Sequence, residues 1–342
     1  MQENFWKKVA KRKPFFCLAP MADVTDEPFR RIIAKYSKHG NSKGGPEVFW
    51  TEFVAADGLV SPIGRKKLLP ILKYSKKEKP IVAQIFGSKP ENIEKACEIV
   101  AKLGFDGIDL NMGCPDRKVE KQGAGSAMMK NPVLAREVIR AALNGVKSSK
   151  KHIPISVKTR IGYNKIEYKE WLSEIVKEDI SALTIHLRTR KEMSKVRAHW
   201  ELAKEIVSFV RSQKKDLILI GNGDVKNIEE GTKLAKESSS SAQAGFDGIM
   251  IGRGIFGNPW LFDKTKTGKE VPIKLKLKVL LEHAKLFEKL MRKSKNFAVM
   301  KKHFKAYVNG FDGAKELRVE LMGTNNSKEV EKIVKKFIKE LH

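Results

Sequence analysis

One cysteine of this chain lies where a predicted strand ends and a glycine-rich loop begins. Cys114 follows the apolar run 107–112 and stands between Gly113 and Pro115. Cysteines that serve only packing usually lie inside strands or helices, whereas residues at strand ends are well placed for chemistry. A thiol with the ordinary pKa of about 8.5 is protonated at neutral pH. It acts as a nucleophile if that pKa is lowered and as a general acid if it is not, and the sequence leaves both roles open.

Polar residues also end or follow most of the other strand-like runs. They are Pro20 and Met21 after the first run, Gln84 in the third, Asn111 in the fourth, Lys158 and Arg160 in the fifth, His186 and Arg188 at the sixth, Asn222, Gly223 and Asp224 after the seventh, and Gly252 and Arg253 after the eighth. If the strands are parallel and closed into a barrel, their carboxyl ends meet at one rim and these residues surround one ligand.

Two features of this set indicate an anionic ligand. Glycine-rich turns after the seventh and eighth strands of such barrels commonly bind phosphate, and Arg253 adds a charged donor. Lys158 alternates with Ile155 and Val157, so we expect its side chain to face the barrel mouth, where a cation stabilises an anionic cofactor ring. No His, Asp or Glu set has the spacing of metal ligands, so no catalytic metal is expected.

The elements that must position these residues form a repeating pattern. Eight strand-like runs occur at residues 15–19, 47–53, 81–86, 107–112, 155–160, 182–187, 217–221 and 248–252. Helical patterns such as 91–103 separate them. Eight strand–helix units in about 260 residues predict an α/β fold, a (β/α)8 TIM barrel. The alternative, a doubly wound open sheet, calls for a Gly-x-Gly-x-x-Gly turn after the first strand, and residues 18–22 do not supply one.

The sequence changes character after residue 262. Residues 264–342 show no strand pattern and predict four helices at about 274–293, 296–308, 314–322 and 328–341. We therefore expect a barrel domain at 1–262 and a small C-terminal all-helical bundle domain at 263–342. Residues 264–342 contain 21 basic and 9 acidic residues, which suits the docking of a large anion. Residues 236–243, with their serine run, predict a flexible surface loop.

Composition narrows the choice of partner and compartment. The chain has 68 Lys plus Arg against 40 Asp plus Glu, a net charge of +28, which favours nucleic acid as a partner. Three widely spaced cysteines predict no disulfide framework and a cytoplasmic location. The first residues lack the apolar core of a signal peptide, and no apolar run approaches the ~18 residues of a membrane span. No obligate protein partner is evident.

Six motifs, in order along residues 15–262, resemble the tRNA-dihydrouridine synthase family. They are Leu18–Asp26, Asn111–Pro115 with the Gly123–Ser126 loop, Val157–Gly162, His186–Arg190, Asn222–Asp224 and Gly252–Gly254. The resemblance implies an FMN-dependent oxidoreductase that reduces the C5=C6 bond of specific uridines in tRNA with NADPH as a transient electron donor. It also implies that the C-terminal helices help to hold tRNA.

The resemblance assigns roles to individual residues. Cys114 is expected to protonate C5 while reduced flavin delivers hydride to C6, and Asn111 matches a position near both flavin and target base. Asn111, Arg160 and Arg188 are expected to bind substrate. The matching flavin-holding positions are Pro20, Met21, Gln84, Asn111, Lys158, His186, Asn222, Gly223, Asp224, Gly252 and Arg253.

The chain departs from the family pattern in three places, which bear on tRNA contacts. They are Leu187 after the histidine, the stretch 196–200, and an extra loop at 39–46. Three alternatives remain: an FMN-dependent reductase of a free pyrimidine, a non-catalytic barrel that binds RNA, and a sugar-phosphate barrel enzyme without flavin. A reductase of a free pyrimidine does not need a net charge of +28. A non-catalytic RNA-binding barrel does not need Cys114 and Lys158 together. The sequence does not tell which uridine is reduced, whether NADPH is preferred over NADH, or the oligomeric state.

Overall fold

A computed structural model describes residues 4–40, 44–239, 245–266 and 270–341. The strands are β1 Phe15–Leu18, β2 Phe49–Trp50, β3 Val54–Ala55, β4 Ile81–Phe86, β5 Gly107–Met112, β6 Ile155–Arg160, β7 Ala182–His186, β8 Ile218–Asn222 and β9 Gly248–Ile251. All pair in parallel, in the order β1-β9-β8-β7-β6-β5-β4-β2, and β3 also pairs with β4. A bridge between Cys17 and Val48 joins the two ends of this order, so the sheet closes into the predicted (β/α)8 barrel.

Helices follow the strands on the outside of the barrel, except the first, which precedes β1 and buries Trp6 in the same apolar cluster as Phe15 and Trp50. In this part of the chain they are α1 Phe5–Val9, α2 Glu27–Tyr36, α3 Ala56–Val60, α4 Pro62–Leu68, α5 Pro90–Ala101, α6 Arg117–Glu120, α7 Pro132–Ser148, α8 Tyr168–Val176, α9 Ala203–Gln213 and α10 Ile228–Glu237. Short 3-10 helices lie at Lys76–Glu78, Gly125–Lys130, Trp200–Leu202 and Arg253–Ile255. One apolar face of each long helix packs on the strands, as the 3.6-residue pattern of residues 91–103 predicts.

The second strand is the one that differs most from expectation. The sequence predicts one strand at 47–53, but the structure has β2 and β3 with an interruption between them. There the side-chain hydroxyl of Thr51, 3.1 Å away, accepts the backbone N–H of Gln84. A side chain has replaced a main-chain acceptor of the ladder, which no alternation of apolar residues reveals.

The C-terminal part is helical, as predicted. It contains α11 Ile273–Met291, α12 Met300–Tyr307, α13 Ala314–Met322 and α14 Ser327–Glu340, with a 3-10 turn at Phe297–Val299. These helices enclose an apolar core of their own, which also takes in Ile32 of α2 and Trp260. Of the predicted loop at 236–243, residues 236 and 237 belong to α10 and residues 240–243 lie outside the described residues, as do 41–43 of the loop at 39–46. The boundary at residue 262 stays a prediction.

A buried ionic cluster ties the helical part to the rim of the barrel. The ammonium of Lys295 lies 2.7 Å from Glu52, 3.2 Å from Asp23 and 3.8 Å from Asp26, and its side chain is 9% exposed. Burial, and then the neighbouring Glu52, raise the pKa of Asp26 to about 7. One cation thus holds three carboxyl groups at the point where the strands β1 and β2 meet α11.

Lys295→Met is expected to destabilise the protein by about 3 kcal/mol at pH 8, because it leaves buried carboxylates without their cation. The loss depends on pH. The folded pKa of Asp26 lies above its unfolded value, so the contribution of Asp26 to stability is present at low pH and is lost as pH rises through about 7. Without Lys295 that pKa rises further, and the loss between pH 5 and 8 becomes larger. Thermal unfolding of both proteins across this range measures the difference.

Lys285→Met is the matched control. Lys285 pairs with Glu331 at 2.8 Å, but Lys285 is 48% exposed and Glu331 25% exposed, so this variant is expected to lose less than about 1 kcal/mol at any pH. A Lys295→Met loss that is the same at pH 5 and pH 8 would contradict the account of Asp26.

Candidate active site

A cavity of about 540 Å³ opens at the carboxyl ends of the barrel strands. Every residue that the sequence predicts for the site lines it. They are Pro20, Met21, Gln84, Asn111, Cys114, Lys158, Arg160, His186, Arg188, Asn222, Gly223, Asp224, Gly252 and Arg253. The parallel register brings them together from different strands, since Asn111 lies beside Lys158, and Arg160, His186 and Asn222 lie side by side on β6, β7 and β8.

Cys114 lies on the wall of this cavity, partly exposed, on a loop held from both sides. Its backbone N–H donates to the side-chain oxygen of Asn111 at 2.9 Å, and its carbonyl accepts the N–H of Ser126 at 3.0 Å. Gly125 has a φ of +61°, and a Cβ there would lie 2.8 Å from the Cys114 carbonyl, so only glycine allows the loop to close this tightly. Burial raises the pKa of the Cys114 thiol. The thiol therefore stays protonated at neutral pH, which suits a general acid better than a nucleophile.

Lys158 carries a positive charge into the same cavity. Its ammonium donates to the side-chain oxygen of Asn222 at 3.1 Å, and Asn222 is itself oriented by donating to the Met250 carbonyl at 2.8 Å. Burial, and then Arg160, lower the pKa of Lys158 to about 8. Among the described residues no carboxylate lies within ion-pair distance of this ammonium, so its charge is free for an anionic ligand.

His186 is neutral in this environment. Burial, followed by the cations around it, lowers its pKa well below the ordinary value. The guanidinium of Arg188 lies 3.2 Å from Nε2 of His186. Since arginine has no acceptor, Nε2 must be the unprotonated nitrogen, and we assign the proton to Nδ1. His186 therefore offers one N–H donor and no charge.

Asp224 organises the cations after β8. It is bonded to the buried Arg188, accepts the N–H of Ala198 at 3.0 Å, and accepts Arg253 at 2.9 Å. Burial acts to raise the pKa of Asp224, but the bonds from Arg188 and Ala198 and the charges of Arg188 and Arg253 together outweigh it, and the pKa is lowered. The side chain of Arg253 remains 60% exposed, so it is accessible to a phosphate while Asp224 fixes its direction.

The two arginines expected to bind substrate are largely occupied by the protein. Arg160 donates to the carbonyls of Gly113 at 2.7 Å and Thr189 at 3.1 Å, and Arg188 donates to the carbonyl of Val196 at 2.8 Å. Both line the cavity, but the contacts that the structure shows hold loops in place. Their role in substrate binding stays a prediction.

Comparison with known proteins identifies the family. The family model described as "Dihydrouridine synthase (Dus)" matches residues 17–342. This chain belongs to the dihydrouridine synthase family. It is 42% identical over 339 residues to the "Probable tRNA-dihydrouridine synthase 2" of Bacillus subtilis (strain 168), covering 98% of this chain and 97% of that protein. It is 41% identical over 339 residues to the "Probable tRNA-dihydrouridine synthase" of Staphylococcus aureus (strain MRSA252), covering 98% and 96%.

Sequence reasoning missed several residues that line the cavity of this dihydrouridine synthase family member. Phe53 lies in the interruption between β2 and β3 and packs edge-on against Phe86, with ring centroids 5.5 Å apart. Lys226 lies just beyond the glycine turn after β8. Barrel enzymes build their sites from the residues that follow each strand. Both positions meet this criterion once the second strand is known to break and the turn after β8 is extended by two residues.

The described part of the chain contains neither a membrane-spanning helix nor a cluster of metal ligands. None of its helices is both long enough and apolar enough to cross a membrane. No group of three or more His, Cys, Asp or Glu side chains there is arranged to hold a metal ion. All three cysteines are free: Cys17 and Cys97 are buried and Cys114 is partly exposed. The cytoplasmic location inferred from cysteine usage stays a prediction.

Proposed function

We propose that this protein is a tRNA-dihydrouridine synthase that reduces the C5=C6 bond of uridines in tRNA, with FMN as its cofactor and NADPH as the electron donor. The observation that carries the proposal is the presence of a protonated thiol, Cys114, and of an ammonium, Lys158, in one cavity of a dihydrouridine synthase family member. No carboxylate among the described residues lies within ion-pair distance of that ammonium. The identity of the relatives supports the substrate, since they carry the name tRNA-dihydrouridine synthase.

The donors present fit a flavin mononucleotide. Arg253, Lys226 and the backbone of Gly223 and Gly252 would hold its phosphate. The charge of Lys158 and the N–H of His186 would face the polar ring atoms, while Pro20 and Met21 supply apolar contact. At Gly223, with a φ of +135°, a Cβ would lie 2.6 Å from the Cβ of Ala198, so the turn is restricted to glycine. When bound, the flavin supplies the hydride equivalent that the reduction requires.

The chain's own residues supply the proton and the charge balance. Reduction of C5=C6 needs a proton at C5, and the thiol of Cys114 donates it. Lys158 and Arg160 then stabilise the resulting thiolate, since each acts to lower the pKa of Cys114. Asn111 holds the peptide of Cys114 and lines the same cavity, where it would contact the target base. The thiolate recovers its proton from water.

The basic helices provide the surface for tRNA. Exposed Lys or Arg side chains occur on each of α11 to α14, and Arg292 and Lys293 lie beside Lys295, which contacts the rim of the cavity. A target uridine has to leave its stack to enter a cavity of this kind. Phosphate contacts of this sort predict affinity that falls steeply with salt.

The proposal is tested by spectroscopy and by analysis of product. Purified protein, supplemented with FMN, is expected to show a flavin absorption spectrum that bleaches on anaerobic addition of NADPH. Incubation with unmodified tRNA is expected to give dihydrouridine, detected as a mass gain of the nucleoside. Free uridine, uracil and orotate are the control substrates.

The alternatives give different results. Turnover of a free pyrimidine but not of tRNA would make the protein a small-molecule reductase. A protein that binds RNA but stays colourless with FMN would be a non-catalytic RNA-binding barrel. A colourless protein that does not bind RNA would point to the sugar-phosphate enzyme.

A further inference from the structure

Three polar side chains lie side by side inside the barrel, at the level of residue 109. The register places Asp109 next to Gln84 on β4 and next to Ser156 on β6. Asp109 and Gln84 are fully buried, and Ser156 is 2% exposed. Each carboxylate oxygen of Asp109 accepts one bond, from Nε2 of Gln84 at 2.7 Å and from the hydroxyl of Ser156 at 2.6 Å. Both carboxylate oxygens of Asp109 are therefore bonded to neighbouring side chains.

The hydrogen bonds continue from Gln84 to Cys114 through the side-chain amide of Asn111. Nδ2 of Asn111 donates to Oε1 of Gln84 at 3.0 Å. Oδ1 of Asn111 in turn accepts the backbone N–H groups of Gly113 at 3.1 Å and Cys114 at 2.9 Å. An unbroken series of hydrogen bonds thus runs from a buried carboxylate to the peptide of the thiol.

The groups at the two ends of this series, the carboxylate of Asp109 and the backbone N–H of Cys114, determine the orientation of the side-chain amides of Gln84 and Asn111. An ionised carboxylate only accepts hydrogen bonds, and a backbone N–H only donates. Gln84 must therefore turn its NH2 to Asp109 and its oxygen to Asn111, which must turn its own oxygen to the loop. If Gln84 were reversed, its oxygen would face the carboxylate and its NH2 would face the NH2 of Asn111. Although burial raises the pKa of Asp109 to about 6, the carboxyl is ionised at pH 7.5, so this condition holds there.

We infer that Asp109 is a positioning residue for Cys114: acting through Gln84 and Asn111, it fixes the direction of two amides and so holds the Gly113–Cys114 peptide at the cavity wall. Asp109 is not among the residues that line the cavity, so it acts through the other two. The inference deepens the proposed function and rests on its assignment of Cys114 as the proton donor.

Asp109→Leu is the direct test, because leucine has nearly the shape of aspartate but accepts no hydrogen bond. We expect the freed amides to release the loop and expose the thiol to water. Since burial is what raises the pKa of Cys114, exposure of the thiol lowers that pKa, and alkylation by iodoacetamide at pH 7.5 is expected to become about tenfold faster. Cys17 and Cys97 are fully buried, so alkylation of the native protein reports on Cys114.

Two further variants keep the test decisive if Asp109→Leu does not fold. Gln84→Met interrupts the series in its middle and is expected to give the same faster alkylation. The double variant Asp109→Asn with Gln84→Glu reverses which member is the carboxylate while keeping every donor opposite an acceptor. It is expected to restore wild-type alkylation to within about threefold, a rescue that a role in packing does not predict.

Asp247→Leu is the matched control. Asp247 is another buried carboxylate, 1% exposed, at the amino-terminal end of the strands, where it accepts the N–H of Leu219 at 2.8 Å. It also pairs with Arg211 and Lys13, each at 2.5 Å, so its loss disturbs more contacts than the loss of Asp109 and makes this a stringent control for general loosening. Equal acceleration of Cys114 alkylation in Asp247→Leu would mean general loosening and would overturn the inference. So would a folded Asp109→Leu or Gln84→Met protein with a wild-type alkylation profile.

The readout separates this inference from the proposed function. Alkylation of Cys114 needs neither flavin nor tRNA, so the series of hydrogen bonds is tested even in a protein that forms no dihydrouridine. In an active protein, Asp109→Leu is expected to lower kcat about tenfold with little change in the KM for tRNA. Absence of dihydrouridine in the wild type would remove the proposed function while the alkylation result stands.

Discussion

Cys114→Ala is expected to slow dihydrouridine formation in tRNA by about 10²- to 10⁴-fold, the usual contribution of a positioned general acid. The methyl group cannot donate a proton, while the backbone of the loop keeps its bonds to Asn111 and Ser126. Flavin and tRNA are therefore expected to bind as they do to the wild type. Single-turnover formation of dihydrouridine, flavin absorbance and tRNA affinity measure the three properties separately.

Cys97→Ala is the control for Cys114→Ala. Cys97 lies fully buried on α5, and the variant is expected to retain full activity with a small loss of stability. Cys114→Ser, whose hydroxyl is a much weaker acid, is expected to remain closer to alanine than to cysteine. Wild-type rates in Cys114→Ala would remove Cys114 from the mechanism.

Lys158→Met is expected to weaken flavin binding by about 10²-fold, the cost of losing a hydrogen-bonded charge contact of about 1.5–3 kcal/mol. Methionine keeps much of the length and apolar stem of lysine but loses the ammonium that faces the cavity. The effect depends on pH. The pKa of Lys158 is lowered to about 8, so its charge is present below that value and is lost as pH rises through it. Titration of FMN by fluorescence quenching is expected to show wild-type affinity falling between pH 7 and pH 9, and a flatter profile for Lys158→Met.

Lys226→Met is the matched control for Lys158→Met. Lys226 also lines the cavity but is exposed, so its loss is expected to cost less than about tenfold in flavin affinity. Because Lys158 is still present, this variant is expected to keep the wild-type fall in affinity between pH 7 and pH 9. A Lys158→Met protein that binds flavin as tightly as the wild type at pH 7 would show that the ammonium serves another ligand. If Lys158→Met binds FMN more weakly but its affinity falls with pH as steeply as that of the wild type, the group that titrates between pH 7 and pH 9 is not Lys158.

The location of the candidate site follows from the sequence to an unusual degree. Eight apolar runs with helical patterns between them predict a parallel barrel, and the carboxyl ends of parallel strands meet at one rim. Asn111, Lys158, His186 and Asn222 are therefore predicted to converge although up to 111 residues separate them, and the cavity contains all four. The four C-terminal helices could be predicted equally well, because each has a regular apolar stripe and is bounded by glycine or asparagine residues that end helices.

Other features depended on contacts between distant parts of the chain. The break in the second strand depends on one hydroxyl, that of Thr51, which takes the place of a backbone acceptor from a different strand. The burial of Lys295 among Asp23, Asp26 and Glu52 joins residues more than 240 positions apart. Neither leaves a periodic signal in the sequence.

The sequence by itself determined the barrel, the helical tail and most of the residues around the cavity, because these follow from local periodicity and from the geometry that all parallel barrels share. Tertiary structure alone decided how those residues are used. It showed that Arg160 and Arg188 hold loops, that His186 is neutral, and that the carboxylate of Asp109 is linked to the thiol of Cys114 through two amides. Protonation and hydrogen-bond direction depend on desolvation and on the partner at each atom, and those are properties of the packed interior rather than of residue order.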